Sequence, residues 1–339
     1  MLELNKIHCM NCIDGMKQLE SESVNCCVTS PPYWNLRDYK IKDQIGQEDT
    51  VEEYTQSIVE VFREVYRVLR NDGTLWLNVG DTYCSTAPGT MGASLHIKEC
   101  RQETKEARRK YRPLTPSGMK PKDLIGVPWM LAFALRADGW YLRQDIIWAK
   151  NNPMPESVRD RCTKSHEYIF LLSKSAHYYF DSEAISEPVT ESTVKRLSQD
   201  VENQNGSDRI PGKNNGNMKA VAPRYGGNKY TANPEVFNRT KSGNAYDFRP
   251  MRNKRSVWTV STQPFKESHF ATYPPKLIEP CILAGCPAGG IVLDPFMGSG
   301  TTAMVAMQLQ RNYIGFELNP EYIKIAERSR LSNVQQRII

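Results

Sequence analysis

The chain has 339 residues, of which 40% are hydrophobic, and this is enough to build one large α/β domain that carries an insertion. Such a composition excludes a disordered or fibrous chain. No apolar run approaches the roughly 18 residues that a membrane span requires, and charges occur early, at Glu3, Lys6 and Asp14. We therefore expect a cytoplasmic protein without a signal peptide or membrane contact.

The net charge of +6 is concentrated in two segments of the sequence. Residues 101–122 hold eight basic and two acidic side chains, and residues 185–255 hold thirteen basic and seven acidic ones. The rest of the chain is acidic overall. Two basic segments on an acidic frame predict a polyanionic partner, although solvated basic loops would give the same counts.

The nine cysteines are irregularly spaced. Cys9-x-x-Cys12 has no second such pair to complete a zinc site, and Cys281 and Cys286 are too far apart to provide one. The sequence therefore predicts reduced, mostly buried thiols and no metal site.

Apolar periodicity predicts alternating strands and helices in the first half of the chain. Strands that alternate with helices favour a mainly parallel sheet with helices on both faces. The predicted elements are a strand at 2–9, a helix at 14–19, a strand at 24–29, a helix at 51–69, a strand at 74–79, a helix at 128–137, a strand at 140–148 and a hairpin formed by 166–172 and 177–180.

Residues 190–250 lack this periodicity and are rich in Asn, Gly and Ser, which predicts either a long irregular loop or a small appended module. Regular elements resume near Pro274. They are a helix at 274–283, a strand at 291–293, a helix that begins near 301 and a strand at 313–316.

The strand at 24–29 stops abruptly at the sequence Ser30-Pro31-Pro32-Tyr33-Trp34. Two prolines end the strand and stiffen the backbone, and two aromatic residues follow at once. On its own this sequence is either a structural turn with surface aromatics or a rigid group of binding side chains.

A glycine loop, Asp294 to Gly300, joins the strand at 291–293 to the helix that follows. Glycines let a backbone pass close to a ligand, and a helix N-terminus favours polar or anionic groups. The next strand ends on Glu317, nineteen positions after Gly298, where an acidic residue commonly accepts ribose hydroxyls. The combination predicts a nucleoside cofactor, but the loop lacks the lysine of a P-loop.

Both stretches resemble motifs of the amino-group DNA methyltransferases that use S-adenosylmethionine. Their catalytic motif, (D/N/S)-P-P-(Y/F/W), is matched at 30–33, and their cofactor motif, D-P-F-x-G-x-G-T, at 294–301. The motif order is similar to that of the circularly permuted β group, which accounts for a glycine loop so late in the chain. Further matches occur at 73–81, 145–150 and 269–277, so the resemblance covers most of the chain.

The resemblance implies a circularly permuted, Rossmann-like α/β sheet with helices on both faces and an inserted target-recognition region. Residues 1–184 would form the catalytic half, with a basic insertion at about 84–122. Residues 185–255 would recognise the target, and 256–339 would form the cofactor-binding half. Implied partners are double-stranded DNA and a cognate restriction endonuclease, and the implied assembly is a monomer or homodimer.

The resemblance also implies residues that contact S-adenosylmethionine. Family members often carry Gly-Asp after the first strand, where this chain has Met10-Asn11, so the adenine contact of Asn11 departs from the pattern. Asp294 would lie near the methionine amine, with a structural turn as the alternative. The implied cofactor-binding residues are Asn11, Thr272, Asp294, Phe296, Gly298, Gly300, Thr301 and Glu317.

The catalytic motif suits transfer to an exocyclic amine, whose lone pair is delocalised into the ring. Ser30 Oγ and the Pro31 carbonyl are acceptors for the amine protons, and the prolines, including Pro32, hold them rigidly. Tyr33 would stack on a base flipped out of the duplex.

Further substrate contacts are implied for Trp34, Asp81, Arg108, Arg109 and Arg112. Packing under the next loop is an alternative for Trp34, and capping of a turn is one for Asp81. The three arginines would contact phosphates. His166 and Glu167 are interpreted as the structural start of a strand.

Serine at position 30 is typical of N4-cytosine enzymes, whereas aspartate there is typical of N6-adenine enzymes. The sequence thus predicts cytosine N4 methylation, with adenine N6 as the alternative. A catalytically inactive DNA-binding or specificity protein on a methylase fold is an alternative of another class, and the complete set of motif residues argues against it.

Overall fold

The protein is described by a computed structural model. The residues that it describes are 2–36, 38–39, 41, 43–84, 118–192, 237–239, 245–247, 251–263, 273–332 and 334. Arg108, Arg109, Arg112 and Thr272 lie outside these residues, as does most of the irregular segment. The chain divides into two compact units, residues 1–181 with 256–339, and residues 182–255.

The first unit is built on a sheet of eight strands. In chain order the strands are β1 (Lys6–Cys9), β2 (Val24–Thr29), β3 (Leu69–Val79), β4 (Tyr141–Ala149), β5 (His166–Ser173), β6 (Val257–Thr259), β7 (Ile291–Asp294) and β8 (Asn312–Glu317). Their spatial order is β1-β8-β7-β2-β3-β5-β4-β6. The predicted mixed α/β architecture with a large central sheet is confirmed.

Among the residues that the structure describes, five helices of this unit lie between strands of the sheet in the chain, and a sixth follows the last strand. They are α1 (Cys12–Met16), α2 (Val51–Val68), α3 (Val127–Ala137), α4 (Pro275–Gly285), α5 (Thr301–Gln308) and α6 (Pro320–Ala326), followed by a π-helical turn at Glu327–Leu331. None of the helices in the described ranges combines the length and apolar character that crossing a bilayer requires.

All strand pairs in this sheet are parallel except those of β5, which runs antiparallel to both β3 and β4. The predicted hairpin of 166–172 with 177–180 is therefore wrong. Residues 177–180 form a loop in which Tyr179 N donates to the Asp72 carbonyl, and the Phe180 ring stacks on Trp76 with centroids 6.2 Å apart. Packing on the sheet, rather than strand pairing, explains the aromatic residues of this segment.

Helix α2 shows how the sequence specifies the core. Thr50 and Glu53 form a capping box, in which each side chain accepts a backbone N–H of the other residue. The apolar positions at helical spacing are fully buried, and they pack with β3, whose residues from Gly73 onward are buried. Six of the eight cysteines in the described residues are buried, and all eight are free thiols.

The second unit contains two short antiparallel strand pairs among its described residues. Glu187–Pro188 pairs with Met251–Arg252, and Phe237–Arg239 pairs with Ala245–Asp247. Glu187 Oε1 accepts hydrogen bonds from Arg252 Nε at 3.2 Å and Arg255 Nε at 2.8 Å, which ties the two ends of the unit together. A target-recognition role for this region stays a prediction.

One buried carboxylate joins the carboxyl ends of β2 and β7. Asp294 Oδ1 accepts from Thr29 Oγ1 at 2.6 Å and from the Phe296 amide at 3.0 Å. Asp294 Oδ2 accepts from Thr302 Oγ1 at 2.5 Å and from the Tyr273 hydroxyl at 3.2 Å. Burial raises the pKa of the Asp294 carboxyl, and the hydrogen bonds from Thr29 and Thr302 oppose that shift.

We expect Asp294→Ala to lower the free energy of unfolding by about 3 kcal/mol or more, because it leaves several buried donors without an acceptor. Asp294→Asn is the matched control, since it keeps the volume and one acceptor oxygen and should cost less. Denaturant titration of both variants measures the difference. Equal stabilities of wild type and Asp294→Ala would contradict the structural role.

Candidate active site

A cavity opens at the carboxyl edge of β1, β8, β7 and β2. Parallel strands bring their carboxyl ends to one edge, so residues far apart in sequence meet there. Among the residues of the two predicted motifs, those that line the cavity include Ser30, Pro31, Pro32, Tyr33, Phe296, Gly298, Ser299 and Thr301, and Asn11 and Glu317 join them. The structure thus brings most of the predicted site residues together.

Glu317 is the last residue of β8, and two backbone amides hold its carboxylate in place. Its Oε2 accepts from the Gly298 amide at 2.9 Å, and its Oε1 accepts from the Asn319 amide at 2.8 Å. Burial raises the pKa of the Glu317 carboxyl, and the two amide hydrogen bonds oppose this. Because each carboxylate oxygen has about two lone-pair sites, Glu317 keeps acceptor capacity for two further hydroxyls.

The glycine loop combines cavity-lining residues with packing residues. Gly298 and Gly300 have φ of 54° and 78°, the left-handed region that glycine tolerates. Gly300 is not among the lining residues. A Cβ there would lie 2.8 Å from Ala326 Cβ, so this glycine lets the loop pack against the end of α6. The structure thus gives Gly300 a packing role, and its contact with the cofactor stays a prediction.

Asp294 likewise has structural contacts, and its contact with the cofactor stays a prediction. Its side chain is only 1% exposed, it does not line the cavity, and both its oxygens are occupied by protein donors. The structure therefore supports the structural alternative for Asp294 rather than contact with a methionine amine. Asn11 does line the cavity, and its Oδ1 accepts from the Ile13 amide at 2.9 Å as the N-cap of α1.

Ser299 provides an independent indication of a ligand. Its Oγ is buried and has no hydrogen-bond partner among the described residues, although Ser299 lines the cavity. An unpartnered buried hydroxyl is costly unless a ligand or water satisfies it. With the acceptors of Glu317 and the apolar walls of Met10 and Phe296, these residues fit a nucleoside with free ribose hydroxyls.

The Ser-Pro-Pro-Tyr motif lies at the same cavity, directly after β2. The Tyr54 hydroxyl of α2 donates to the Pro32 carbonyl at 2.8 Å, which fixes the proline turn from below. The Tyr33 hydroxyl donates to Glu167 Oε2 at 2.8 Å, and Ser30 Oγ lies 3.5 Å from the same Tyr33 hydroxyl. Burial raises the pKa of Tyr33, and nearby Glu167 raises it further.

Two predicted substrate-binding residues have structural contacts instead. Trp34 is 2% exposed, packs in the core, and donates from Nε1 to the Glu48 carbonyl at 3.0 Å. The structure therefore favours packing over a stacking wall for Trp34. Asp81 Oδ1 accepts from the amides of Gly126 and Val127 at 2.9 and 3.1 Å, so it caps the start of α3.

Glu167 is a residue whose contacts the sequence interpretation missed. Glu167 lies at the start of β5, as the sequence predicts, but its carboxylate also contacts Tyr33 and pairs with Lys150. The available signal is an acid placed two positions before the buried run 169–172 in β5. Among the described residues no cluster of His, Cys, Asp and Glu could hold a metal ion.

Comparison with known proteins gives concordant results. The sequence model of the family described as DNA methylase matches residues 24–328. The type II methyltransferase M.SmaI of Serratia marcescens is 43% identical over 93% of this chain and 86% of its own length. The type II methyltransferase M.Cfr9I of Citrobacter freundii is 44% identical over 92% of this chain and 82% of its own length.

Solved structures share the fold at low sequence identity. The PvuII DNA methyltransferase, described as cytosine-N4-specific, has a TM-score of 0.57 and 15% identity over 95% of this chain and 84% of its own. A DNA modification methylase of Thermus thermophilus, solved with S-adenosyl-L-methionine, has a TM-score of 0.54 and 19% identity over 97% and 94% of the two chains.

The sequence match extends over most of the chain, and the relatives align with it nearly end to end. The cavity offers the acceptors and apolar walls that a nucleoside cofactor requires. The chain therefore belongs to the N6- and N4-directed DNA methylase family and is an S-adenosylmethionine-dependent DNA methyltransferase.

Proposed function

We propose that the protein methylates the exocyclic N4 of cytosine in duplex DNA, at a specific sequence, as the modification enzyme of a type II restriction system. The observation that carries the proposal is Ser30, a neutral hydroxyl, at the first motif position on the cavity wall. Serine there is typical of N4-cytosine enzymes in the family. Relatives at 43 and 44% identity are named as type II methyltransferases, which supports a cognate restriction endonuclease as a partner.

The cofactor would be held by the carboxyl edge of β7 and β8. When bound, S-adenosylmethionine supplies an electrophilic methyl group on a sulfonium. Glu317 would accept its ribose hydroxyls, the Gly298 backbone would allow close approach, and Phe296 and Met10 would cover the apolar surface of the nucleoside. Ser299 Oγ would gain the hydrogen bond that it lacks within the described protein residues.

The chain would activate the target amine by accepting hydrogen bonds from its two N–H groups. Ser30 Oγ and the Pro31 carbonyl would accept the two N–H groups, which draws the nitrogen lone pair out of the ring. The proline turn, held by Tyr54 at Pro32, fixes both acceptors before the base arrives, so the reaction depends on positioning. The Tyr33 ring would contact the flipped base.

DNA contacts outside the cavity are proposed for the two basic segments. Arg108, Arg109 and Arg112 would bind phosphates in the insertion, and the region 185–255 would read base edges with its Arg, Lys, Asn and Gln side chains. Cytoplasmic localisation and a monomeric or homodimeric assembly complete the proposal.

The methylated base can be identified directly. We expect duplex DNA from cells that express the protein to contain N4-methylcytosine at one sequence, detected by mass spectrometry of nucleosides and located by sequencing that distinguishes the two modifications. A matched strain expressing Ser30→Ala is the control. N6-methyladenine in place of N4-methylcytosine would contradict the cytosine assignment and leave the family membership intact.

We expect Ser30→Ala to lower turnover by about 10²-fold or more while S-adenosylmethionine affinity stays at the wild-type value, because one preorganised acceptor is lost. Ser21→Ala is the control, since Ser21 is exposed at the opposite, amino end of β2. Turnover is measured with tritiated cofactor on unmodified plasmid DNA. Wild-type turnover of folded Ser30→Ala would remove Ser30 from the reaction.

We expect Glu317→Ala to weaken S-adenosylmethionine binding by about 1–3 kcal/mol, because two ribose hydroxyls lose a charged acceptor. Glu321→Ala is the matched control, because Glu321 is an exposed carboxylate four positions later in the chain whose surface ion pair with Lys324 is weak. Isothermal titration calorimetry measures both affinities. An unchanged affinity of Glu317→Ala would rule out the ribose contact.

A further inference from the structure

Three oxygen atoms form a chain that leads away from the cavity. Ser30 Oγ lies 3.5 Å from the Tyr33 hydroxyl, and that hydroxyl lies 2.8 Å from Glu167 Oε2. Glu167 Oε1 in turn accepts from Lys150 Nζ. The first contact is long, as catalytic hydrogen bonds often are before a substrate binds.

The direction of the hydrogen bonds follows from the last member of this chain. Glu167 pairs with Lys150 as a carboxylate, and a carboxylate can only accept hydrogen bonds, so the Tyr33 hydroxyl must donate to it. Tyr33 has a single hydroxyl proton. Its oxygen can therefore only accept from Ser30, and the Ser30 proton points toward Tyr33.

Asn78 also presents an acceptor to the Tyr33 hydroxyl, so it favours the same hydrogen-bond direction. Its Nδ2 donates to the Tyr168 carbonyl at 3.0 Å, which orients the amide and leaves Oδ1 on the side of the Tyr33 hydroxyl, 3.5 Å away. Asn78 is 4% exposed and cannot turn freely. Both groups that face the phenol from the sheet are thus acceptors, and neither offers it a proton.

The phenol ring itself is held in place. A Cβ on Gly80 would lie 2.8 Å from Tyr33 Cε2, so a glycine at the end of β3 makes room for the ring. At the other end of the chain of hydrogen bonds, Lys150 Nζ lies 4.3 Å from the centre of the Trp148 ring. The Lys150 and Glu167 side chains are only 18% and 16% exposed. Partial burial makes this ion pair stronger than a surface pair.

We propose that Glu167 is a positioning residue that sets the direction of the Ser30–Tyr33–Glu167 hydrogen-bond chain, so that Ser30 presents lone pairs and not its proton to the target amine. This inference rests on the proposed function, in which Ser30 Oγ accepts a hydrogen bond from an N–H group of the target amine. A free serine hydroxyl rotates and can donate or accept. A hydroxyl that donated toward the amine nitrogen would occupy the lone pair that has to attack the methyl group.

Glu167→Gln tests the inference because the amide has the shape of the acid but can donate a proton to Tyr33. We expect the single-turnover rate constant, at saturating DNA and cofactor, to fall about 10-fold or more, which corresponds to roughly 1.4 kcal/mol. The dissociation constant for DNA should change by less than about 3-fold, since base contacts are retained. Glu156→Gln is the matched control, a carboxylate paired with Arg161 that does not contact Tyr33.

Tyr33→Phe removes the middle oxygen and keeps the ring, and it provides the second arm. It should lower the same rate constant by a similar factor, and the double variant with Glu167→Gln should be no slower than the slower single variant. In a Ser30→Ala background, Glu167→Gln should have no further effect, because no hydroxyl remains to be oriented.

The outcomes separate the two proposals. A wild-type rate for Glu167→Gln, or losses that multiply in the double variant, would overturn the inference and leave the role of Ser30 intact. A wild-type rate for Ser30→Ala would overturn the acceptor role of Ser30 itself. If Glu167→Gln fails to fold, Tyr33→Phe alone decides, since a wild-type rate for that variant also overturns the inference.

Discussion

The site depends on one buried carboxylate. Asp294 accepts from Thr29, the residue directly before the catalytic motif, and from Phe296 within the glycine loop. Thr29 and Asp294 are 265 positions apart, so this hydrogen bond fixes two motifs from opposite parts of the chain against each other. Asp294 does not line the cavity, so the two motifs are held against each other by a side chain outside the cavity wall.

A second set of contacts holds the Ser-Pro-Pro-Tyr motif in place. Tyr54 of α2 holds the proline turn, and Glu167 of β5 holds Tyr33. Methyl transfer by direct displacement needs alignment more than a strong base. The structure meets that need with supports on separate elements, each of which is packed in the core or paired in the sheet. Rigid supports of this kind are what preorganised catalysis requires.

The sequence was sufficient for the motifs and for most of the sheet. Periodicity located the strands, and motif spacing located Glu317 and Ser30, because these features are local. It could not show that Asp294 and Gly300 face the core, since their orientation depends on Thr302 and Ala326 in packed helices. The same limit applies to Glu167, whose importance appears only when β5 reverses direction and pairs with β3.

The strand order has a consequence for how the chain folds. Strand β1 pairs with β8, with Lys6 opposite Ile314, and β2 pairs with β7, with Cys26 opposite Val292. Strand β2 also pairs with β3 nearby in the chain, but β1 and the other edge of β2 find their neighbours only after most of the chain has been synthesised. Contacts of such long sequence separation slow folding and leave strand edges exposed in the meantime. Nascent chains of this protein should accordingly carry an unpaired β1 and one open edge of β2 until β7 and β8 have left the ribosome.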